Sequence, residues 1–495
     1  MSLFFQQMAG KHFPRRPCRE DMGKHGLAGY AEWPVPRAGR IRLSRLSYSV
    51  QKPGRPTRPT RPAGQIVSSN GYVWQAQSSA TSGATAPSGY GTTASDGTIT
   101  WTKLGLQMAP VVSALYTTHN SSYSTQYGIT NTAETLIPNS ADLPFRFTGG
   151  VPTSSVFGND YMAICANWAP VNGNIYSTYS GSMNVVTFVF EGTIFEAKYF
   201  DGNSNPFSII VDGQYLDNRF GGTNTGGVRY VTVDFTNVAQ VTGPVSATGR
   251  QGHTITFEFG DVPFDGINCL STDTISLPKL SDDFSCAVIG DSQAVATNNP
   301  YYGDAFGIQI QKLMGLPDMM LCGIGGTGMV NPGSTSNYIG HCIADLQNLN
   351  SYRPLGLIIV QPSQNDANYT SQLPAASLTL LQALRAAFPT VAIWVLGNIT
   401  GGAISLATAQ TNEAIIATSV AARQAAGDDL IFMTSAANDP NGPWITGTGY
   451  VGTTNGSGSS DVDISNDGAH MTPAGHAIYA RKSMNAFLSA IANIP

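Results

Sequence analysis

Ser292, in the stretch Ser285-Cys-Ala-Val-Ile-Gly-Asp-Ser-Gln293, and His470, in Asp467-Gly-Ala-His470, are the residues whose types and settings best suit covalent chemistry. A serine hydroxyl attacks carbonyls poorly unless a base takes its proton. His470 could be that base, with Asp467, three residues earlier, holding the imidazole in the right tautomer. Two further polar blocks lie between them, Gly323-Ile-Gly-Gly-Thr327 and Ser363-Gln-Asn-Asp366. The backbone N–H groups of Ser292 and Gly326, with the side-chain amide of Asn365, could surround a developing oxyanion. The chemistry implied is attack on an ester carbonyl.

The remaining candidates are weaker. His476 follows His470 by six residues, a spacing that does not share a helix face, so a metal pair is not expected, and a place on the helix surface or behind the residues of the site is. Asp366 could brace the loop beside Asn365, although capping a turn is the plainer role. Asp291 is expected to hydrogen-bond the nucleophile turn, and His253 and His341 have no partner visible in the sequence. The six cysteines (Cys18, Cys165, Cys269, Cys286, Cys322, Cys342) show no CxxC and no metal-type pairing. They are expected to be buried small hydrophobes, with a Cys286–Cys322 pair open. With neither a Walker loop nor a dinucleotide fingerprint, no cofactor and no metal are expected.

These blocks need a scaffold, and the pattern from about residue 284 supplies one. Apolar runs at Cys286–Ile289, Met319–Cys322, Leu355–Val360, Val391–Leu396 and Leu430–Met433 alternate with helical stretches near 304–314, 338–348, 375–388, 406–426 and 473–491. Continuous apolar strands between helices predict a parallel sheet covered on both faces. Such sheets place their chemistry at the carboxyl ends of the strands, where each polar block falls. Gly290 is expected to allow a sharp turn there. Residues 436–465, rich in Gly, Ser and Asn, read as a long loop beside the site that binds substrate.

Upstream, residues 111–283 carry period-two runs such as Met183–Phe190, Thr193–Phe200 and His253–Phe259 between Gly, Asn and Asp turns. They predict a jelly-roll-like β-sandwich, an accessory scaffold. Residues 63–110 predict a small β-module, with turns at Asn70-Gly71 and Asp96-Gly97. Its Trp74 and Trp101 either stack on sugar rings or, as expected in so small a unit, form its own core. Residues 1–62 end in Arg-Pro-Thr repeats that read as an extended arm, disordered or ordered only against a partner protein.

Charge divides the chain. Residues 1–62 hold 13 Lys and Arg against 3 Asp and Glu, so a basic arm of about +10 precedes a body of about −15, within a net charge of −5. That asymmetry suits docking on an acidic surface or nucleic acid, and of the two a protein partner is preferred. Only 12% of residues are charged, which suits β-rich extracellular or virion proteins. No stretch resembles a membrane span or the apolar core of a signal peptide, so neither membrane insertion nor ordinary secretion is expected.

The four blocks, in this order, resemble the SGNH (GDSL-type) hydrolase family over residues 284–495. By position the resemblance implies Ser292 as nucleophile and Ser292, Gly326 and Asn365 as oxyanion donors. It also implies His470 as base and Asp467 as its orienting acid. Two departures stand out: Ser363 replaces the usual Gly of the third block, and Met471 replaces the usual Pro after the histidine. A β-sandwich ahead of such a domain is similar to the two-domain carbohydrate esterases. The segment Gly71-Tyr-Val-Trp-Gln-Ala to Asp96-Gly-Thr-Ile-Thr-Trp-Thr102 resembles modules of bacteriophage tail fibres. Together these imply a carbohydrate acetylesterase in a phage tail spike or fibre, outward-facing on the virion. It would act on bacterial surface polysaccharide, anchor to other tail proteins through its arm, and assemble as a homo-oligomer, a trimer by analogy. The rival reading is a receptor-binding virion protein that grips glycan with a hydrolase-like fold and catalyses nothing.

Overall fold

The computed structural model describes the strands of residues 60–106 and most of residues 110–492, outside 130–143, 167–182, 202–206, 221–225, 237–251 and a few shorter gaps. The chain forms two compact units, divided between Gln107 and Met108. In the first, Ile66–Ser69, Tyr72–Ala76, Ile99–Leu106 and Thr93–Asp96 form a four-stranded antiparallel sheet in that order. Ser69 pairs with Tyr72 and Asp96 with Ile99, so Asp96 closes a strand and is not the first residue of a turn, while Asn70, Gly71 and Gly97 of the expected turns lie outside the described residues. Nearly all of the basic arm, and the side chains of Trp74 and Trp101, lie outside the described residues.

The second unit begins with two antiparallel sheets of seven and six strands. Met183–Glu191 illustrates why they pack: Val186, Phe188 and Phe190 point inward and are fully buried, while the residues between them are half-buried. The core between the sheets is dominated by phenylalanine, with Phe145, Phe188, Phe195, Phe257 and Phe264 in edge-to-face or stacked contacts.

A five-stranded parallel sheet follows, made of Met320–Gly323, Ser285–Gly290, Leu355–Val360, Ala392–Val395 and Ile431–Met433 in spatial order. Helices Phe306–Met314, Tyr338–Tyr352, Leu373–Ala387, Leu406–Ala425 and Pro473–Ala492 connect and close it. Strand order 2-1-3-4-5 puts the chain-order reversal between the first and third strands. Connections leave those two strands in opposite directions, which opens a crevice at their carboxyl ends. Gly290 ends the first strand, but not for the expected reason, since it is absent from the positive-φ glycines. A Cβ there would lie 2.4 Å from Gln361 Oε1 and 2.7 Å from Ala294 Cβ, so close packing excludes a side chain.

The sandwich and the α/β layers are joined by buried charge. Arg353, 1% exposed, donates to Asp318 Oδ2 at 2.7 Å and to the Phe147 carbonyl at 3.1 Å. Asp318, fully buried, also accepts from the Gly149 N–H at 2.7 Å and the Ser285 hydroxyl at 2.6 Å. A second junction gathers Tyr215, Tyr301 and Lys312 on Glu258. Among the described residues, no helix is long and apolar enough to cross a membrane.

Candidate active site

The first parallel strand delivers Ser292 to the crevice, and the segment before the last helix brings His470 to it. Across 178 positions of sequence, Ser292 Oγ and His470 Nε2 lie 2.8 Å apart. His470 Nδ1 is 2.5 Å from Asp467 Oδ2. An ionised carboxylate only accepts, so Nδ1 carries the proton and Nε2 is left to accept from the serine hydroxyl. Burial alone would raise the Asp467 carboxyl. Bonds from the His470 imidazole, the Ser465 hydroxyl and the N–H groups of Ala469 and His470 outweigh it and hold the group well below the usual carboxylate range.

Two residues that the sequence reading passed over hold this pair in place. Gln293, next to the nucleophile and 1% exposed, donates from Nε2 to the Ala469 carbonyl at 2.8 Å. Its Oε1 accepts the Met471 N–H at 3.0 Å. One side chain thus grips the backbone on either side of His470 from the nucleophile's own turn. Asn298 donates from Nδ2 to Asp467 Oδ2 at 2.5 Å, and its φ of 66° is in the left-handed region. Asn tolerates that region better than most residues, which lets the turn after the nucleophile fold back over the acid.

The opposite wall is the Gly323–Thr327 loop with the 363–366 block. A Cβ on Gly325 would sit 3.7 Å from Ser292 Cβ, so this loop lies against Ser292. Gly326 is exposed, with φ of 78° and open space around its missing side chain. Asn365 donates from Nδ2 to the Thr327 carbonyl at 2.9 Å and to Asp291 Oδ2 at 3.3 Å. Both of its amide hydrogens therefore have acceptors within the protein. Ser363 does not disturb the turn. Its hydroxyl accepts the Asn365 N–H at 2.9 Å and lies 2.6 Å from Asp291 Oδ2 and 2.8 Å from the Thr327 carbonyl.

Asp291 is fully buried beneath the site and accepts the Gln293 N–H at 2.9 Å, the turn-bracing role expected of it. Burial pushes its carboxyl up to about 6, against the lowering effect of the Ser363 hydroxyl and the Gln293 N–H. Asp366 does more than cap a turn: it accepts the N–H groups of Met329, Val330 and Asn331 at 2.7, 3.1 and 2.9 Å. It thereby fastens the stretch that follows the Gly-rich loop. A Cβ on Gly328 would fall 2.3 Å from Asp366 Oδ1, so that approach requires glycine.

Several other expectations are corrected. Of the two places expected for His476, the helix surface is excluded: the side chain is fully buried, and its Nδ1 accepts the Phe306 N–H at 3.2 Å. Burial, with a smaller contribution from His470, lowers it to about 3. His253 has a partner in Asp212 at 2.8 Å, and His341 has one in Asp345 at 3.1 Å. Cys286 and Cys322 are both free thiols. In the parallel register Cys322 stands opposite Ile289, three residues beyond Cys286, because Met320 rather than Cys322 opens the pairing. Residues 451–457 are exposed and belong to a loop that packs on the histidine segment through the Ile464–Met471 bridge and Tyr450 beside Gly468.

No protein-family model matches the sequence, and no curated protein does. Among solved structures the chain is similar to a family two carbohydrate esterase from Clostridium thermocellum in complex with cellohexaose, at 16% identity and a TM-score of 0.47, covering 70% of this chain and 99% of that one. It is similar to an acetyl xylan esterase from the rumen bacterium Butyrivibrio proteoclasticus, at 12% identity and a TM-score of 0.44, covering 73% and 99%. It is also similar to a salicylyl-acyltransferase from a tetracycline biosynthetic pathway, at 12% identity and a TM-score of 0.48, covering 73% and 99%.

Proposed function

We propose that this protein is a serine esterase that removes O-acetyl groups from a bacterial surface polysaccharide, as part of a phage tail spike or fibre. The observation that carries the reaction class is the relay from Ser292 through His470 to Asp467, with spacings of 2.8 and 2.5 Å. Ser292 Oγ attacks the acetyl carbonyl carbon while its proton passes to His470 Nε2. Asp467 and Asn298 hold the imidazolium. The negative charge on the former carbonyl oxygen is met by the N–H groups of Ser292 and Gly326 and by Asn365, which gives up its longer contact to Asp291. Collapse breaks the bond to the sugar oxygen, which leaves with the proton from Nε2, and acetyl-Ser292 remains. Water, deprotonated by His470, then attacks the acetyl group, and acetate departs as the proton returns to Ser292 Oγ.

The polysaccharide substrate and the phage setting rest on the sequence: the tail-module resemblance, the basic Pro-rich arm, and a polar exposed loop beside the site at 451–457. In this reading the arm anchors the chain to other tail proteins, and the body, a homo-oligomer, faces the cell. The rival, a glycan-gripping protein without turnover, is favoured by one observation, the prior engagement of both Asn365 amide hydrogens. Acetate release from O-acetylated host polysaccharide separates the two. Wild-type protein is expected to release acetate and Ser292→Ala none, whereas binding without release by the intact protein would favour the rival.

A further inference from the structure

A second cluster of reactive side chains lies away from the Ser292 relay. Cys322 is near the end of the second parallel strand, and His341, Cys342 and Asp345 are on the helix Tyr338–Tyr352 packed against the sheet. The sulfur atoms of Cys322 and Cys342 and a ring nitrogen of His341 all lie within 4.8 Å of one another. Cys342 Sγ is 3.6 Å from each ring nitrogen of His341, and Cys322 Sγ is 3.4 Å from Asp345 Oδ2. His341 Nδ1 is 3.1 Å from the same carboxylate oxygen.

We propose that Cys322, Cys342 and His341, the last oriented by Asp345, form a tetrahedral binding site with one open position for a thiophilic divalent cation, zinc being the best fit. Zinc bonds sulfur at about 2.3 Å and nitrogen or oxygen at about 2.0 Å, which spaces tetrahedral ligand atoms roughly 3.3–3.8 Å apart. The 3.6 Å between Cys342 Sγ and the His341 ring nitrogens falls in that range, and small side-chain rotations bring Cys322 Sγ to the same ion. The donor set selects the metal, since two thiolates with an imidazole disfavour magnesium or calcium, which take oxygen. Ordinary packing accounts for two buried thiols as small hydrophobes. It does not by itself set an imidazole against both sulfurs with its Nδ1 held by a carboxylate, Asp345, the arrangement that orients a metal-binding histidine, in a layer otherwise lined by Met320, Leu346 and Ile358. The His341 side chain, 11% exposed, marks the route of entry.

Binding replaces the two S–H protons, and any proton on the ligating ring nitrogen of His341, with bonds to the metal and releases them all to solvent. The ion would fasten the second strand to its helix directly beneath Gly323–Thr327, the loop beside Ser292. It would therefore act on stability and not on the reaction, and the site does not depend on the esterase reading.

The test is a titration of full-length, reduced, chelator-treated protein with cobalt(II) and then zinc. Wild type should develop thiolate-to-cobalt charge-transfer absorption and tetrahedral ligand-field bands that saturate at one equivalent, and zinc should bleach both and raise the melting temperature. Cys342→Ser should lose most of the charge-transfer intensity. His341→Gln, at the part-exposed position where folding is least at risk, should weaken zinc binding by more than about tenfold while leaving ester turnover unchanged. Three results would overturn the proposal. One is the absence of charge-transfer absorption in wild type, and another is absorption undiminished in both variants. The third is a peptide map of the unreduced protein as isolated that finds Cys322 joined to Cys342 in a disulfide.

Discussion

Gln293 is the side chain whose removal most sharply separates positioning from mere folding. Replacing it with methionine keeps the volume but deletes both bonds to the backbone around His470, at 2.8 and 3.0 Å. Met471 is fully buried, so its N–H is left without a partner at a cost of about 1–3 kcal/mol, while the half-buried Ala469 carbonyl can turn to water. About 2 kcal/mol expressed as displacement of the imidazole corresponds to a fall in kcat of roughly 10–30-fold. KM for a small acetyl ester should change less than about twofold, because Gln293 touches no substrate in this account. Gln293→Glu adds a second arm to the experiment. Its carboxylate can still accept from Met471 but opposes the Ala469 carbonyl, and protonation restores a donor there. Its turnover relative to wild type should therefore rise as the pH falls. Steady-state kinetics on p-nitrophenyl acetate, with melting temperatures measured alongside, read all of this. A Gln293→Met enzyme with kcat within about twofold of wild type would refute the clamp. So would a loss of activity that merely tracks loss of folded protein.

Further outcomes follow from the geometry at Asp467 and Arg353. Asp467→Asn should lower kcat by about 10²–10⁴, since the amide no longer enforces a proton on Nδ1. Because Asp467 sits below its ordinary carboxylate value when folded, the stability its ionisation contributes is fully present above pH about 4 and is lost as pH falls through the folded value. The melting-temperature advantage of wild type over Asp467→Asn should thus hold from pH 7 down to about 4 and vanish in stronger acid. Arg353→Met leaves Asp318 buried without its cation and should cost about 3–5 kcal/mol in urea unfolding, with turnover per folded molecule retained. The double variant with Asp318→Asn should recover part of that loss.

The fold was legible where periodicity is strict. Runs such as Met183–Glu191 and Leu355–Val360 announce which face is buried through period two or unbroken apolarity. The reacting pair was legible because serine sits at a strand end and histidine and aspartate share one short block ahead of the last helix. What supports them was not. Gln293 and Asn298 act through bonds to residues about 170 positions away, and nothing in a glutamine or asparagine codon by codon marks such a partner. Their nearness to Ser292 was the one available signal. The role of Gly290 was misread because a glycine required by crowding and a glycine needed for its backbone angle look alike in sequence. His476 was misread for a related reason, since a six-residue spacing describes one helix and is silent about the Phe306 backbone that covers it. The Cys322–His341–Cys342 cluster escaped notice because its members come from a strand and a helix whose packing, not spacing, brings them together.

The central claim is that folding makes Ser292 a nucleophile by placing His470 against it, and a substrate-independent label tests it most directly. Full-length protein is treated with an alkyl fluorophosphonate, and the adduct is mapped by peptide mass spectrometry. The account predicts one phosphonyl group per chain, on Ser292, forming at a rate that collapses in His470→Ala. Labelling elsewhere with Ser292 untouched, or labelling of Ser292 at an equal rate without His470, would contradict it.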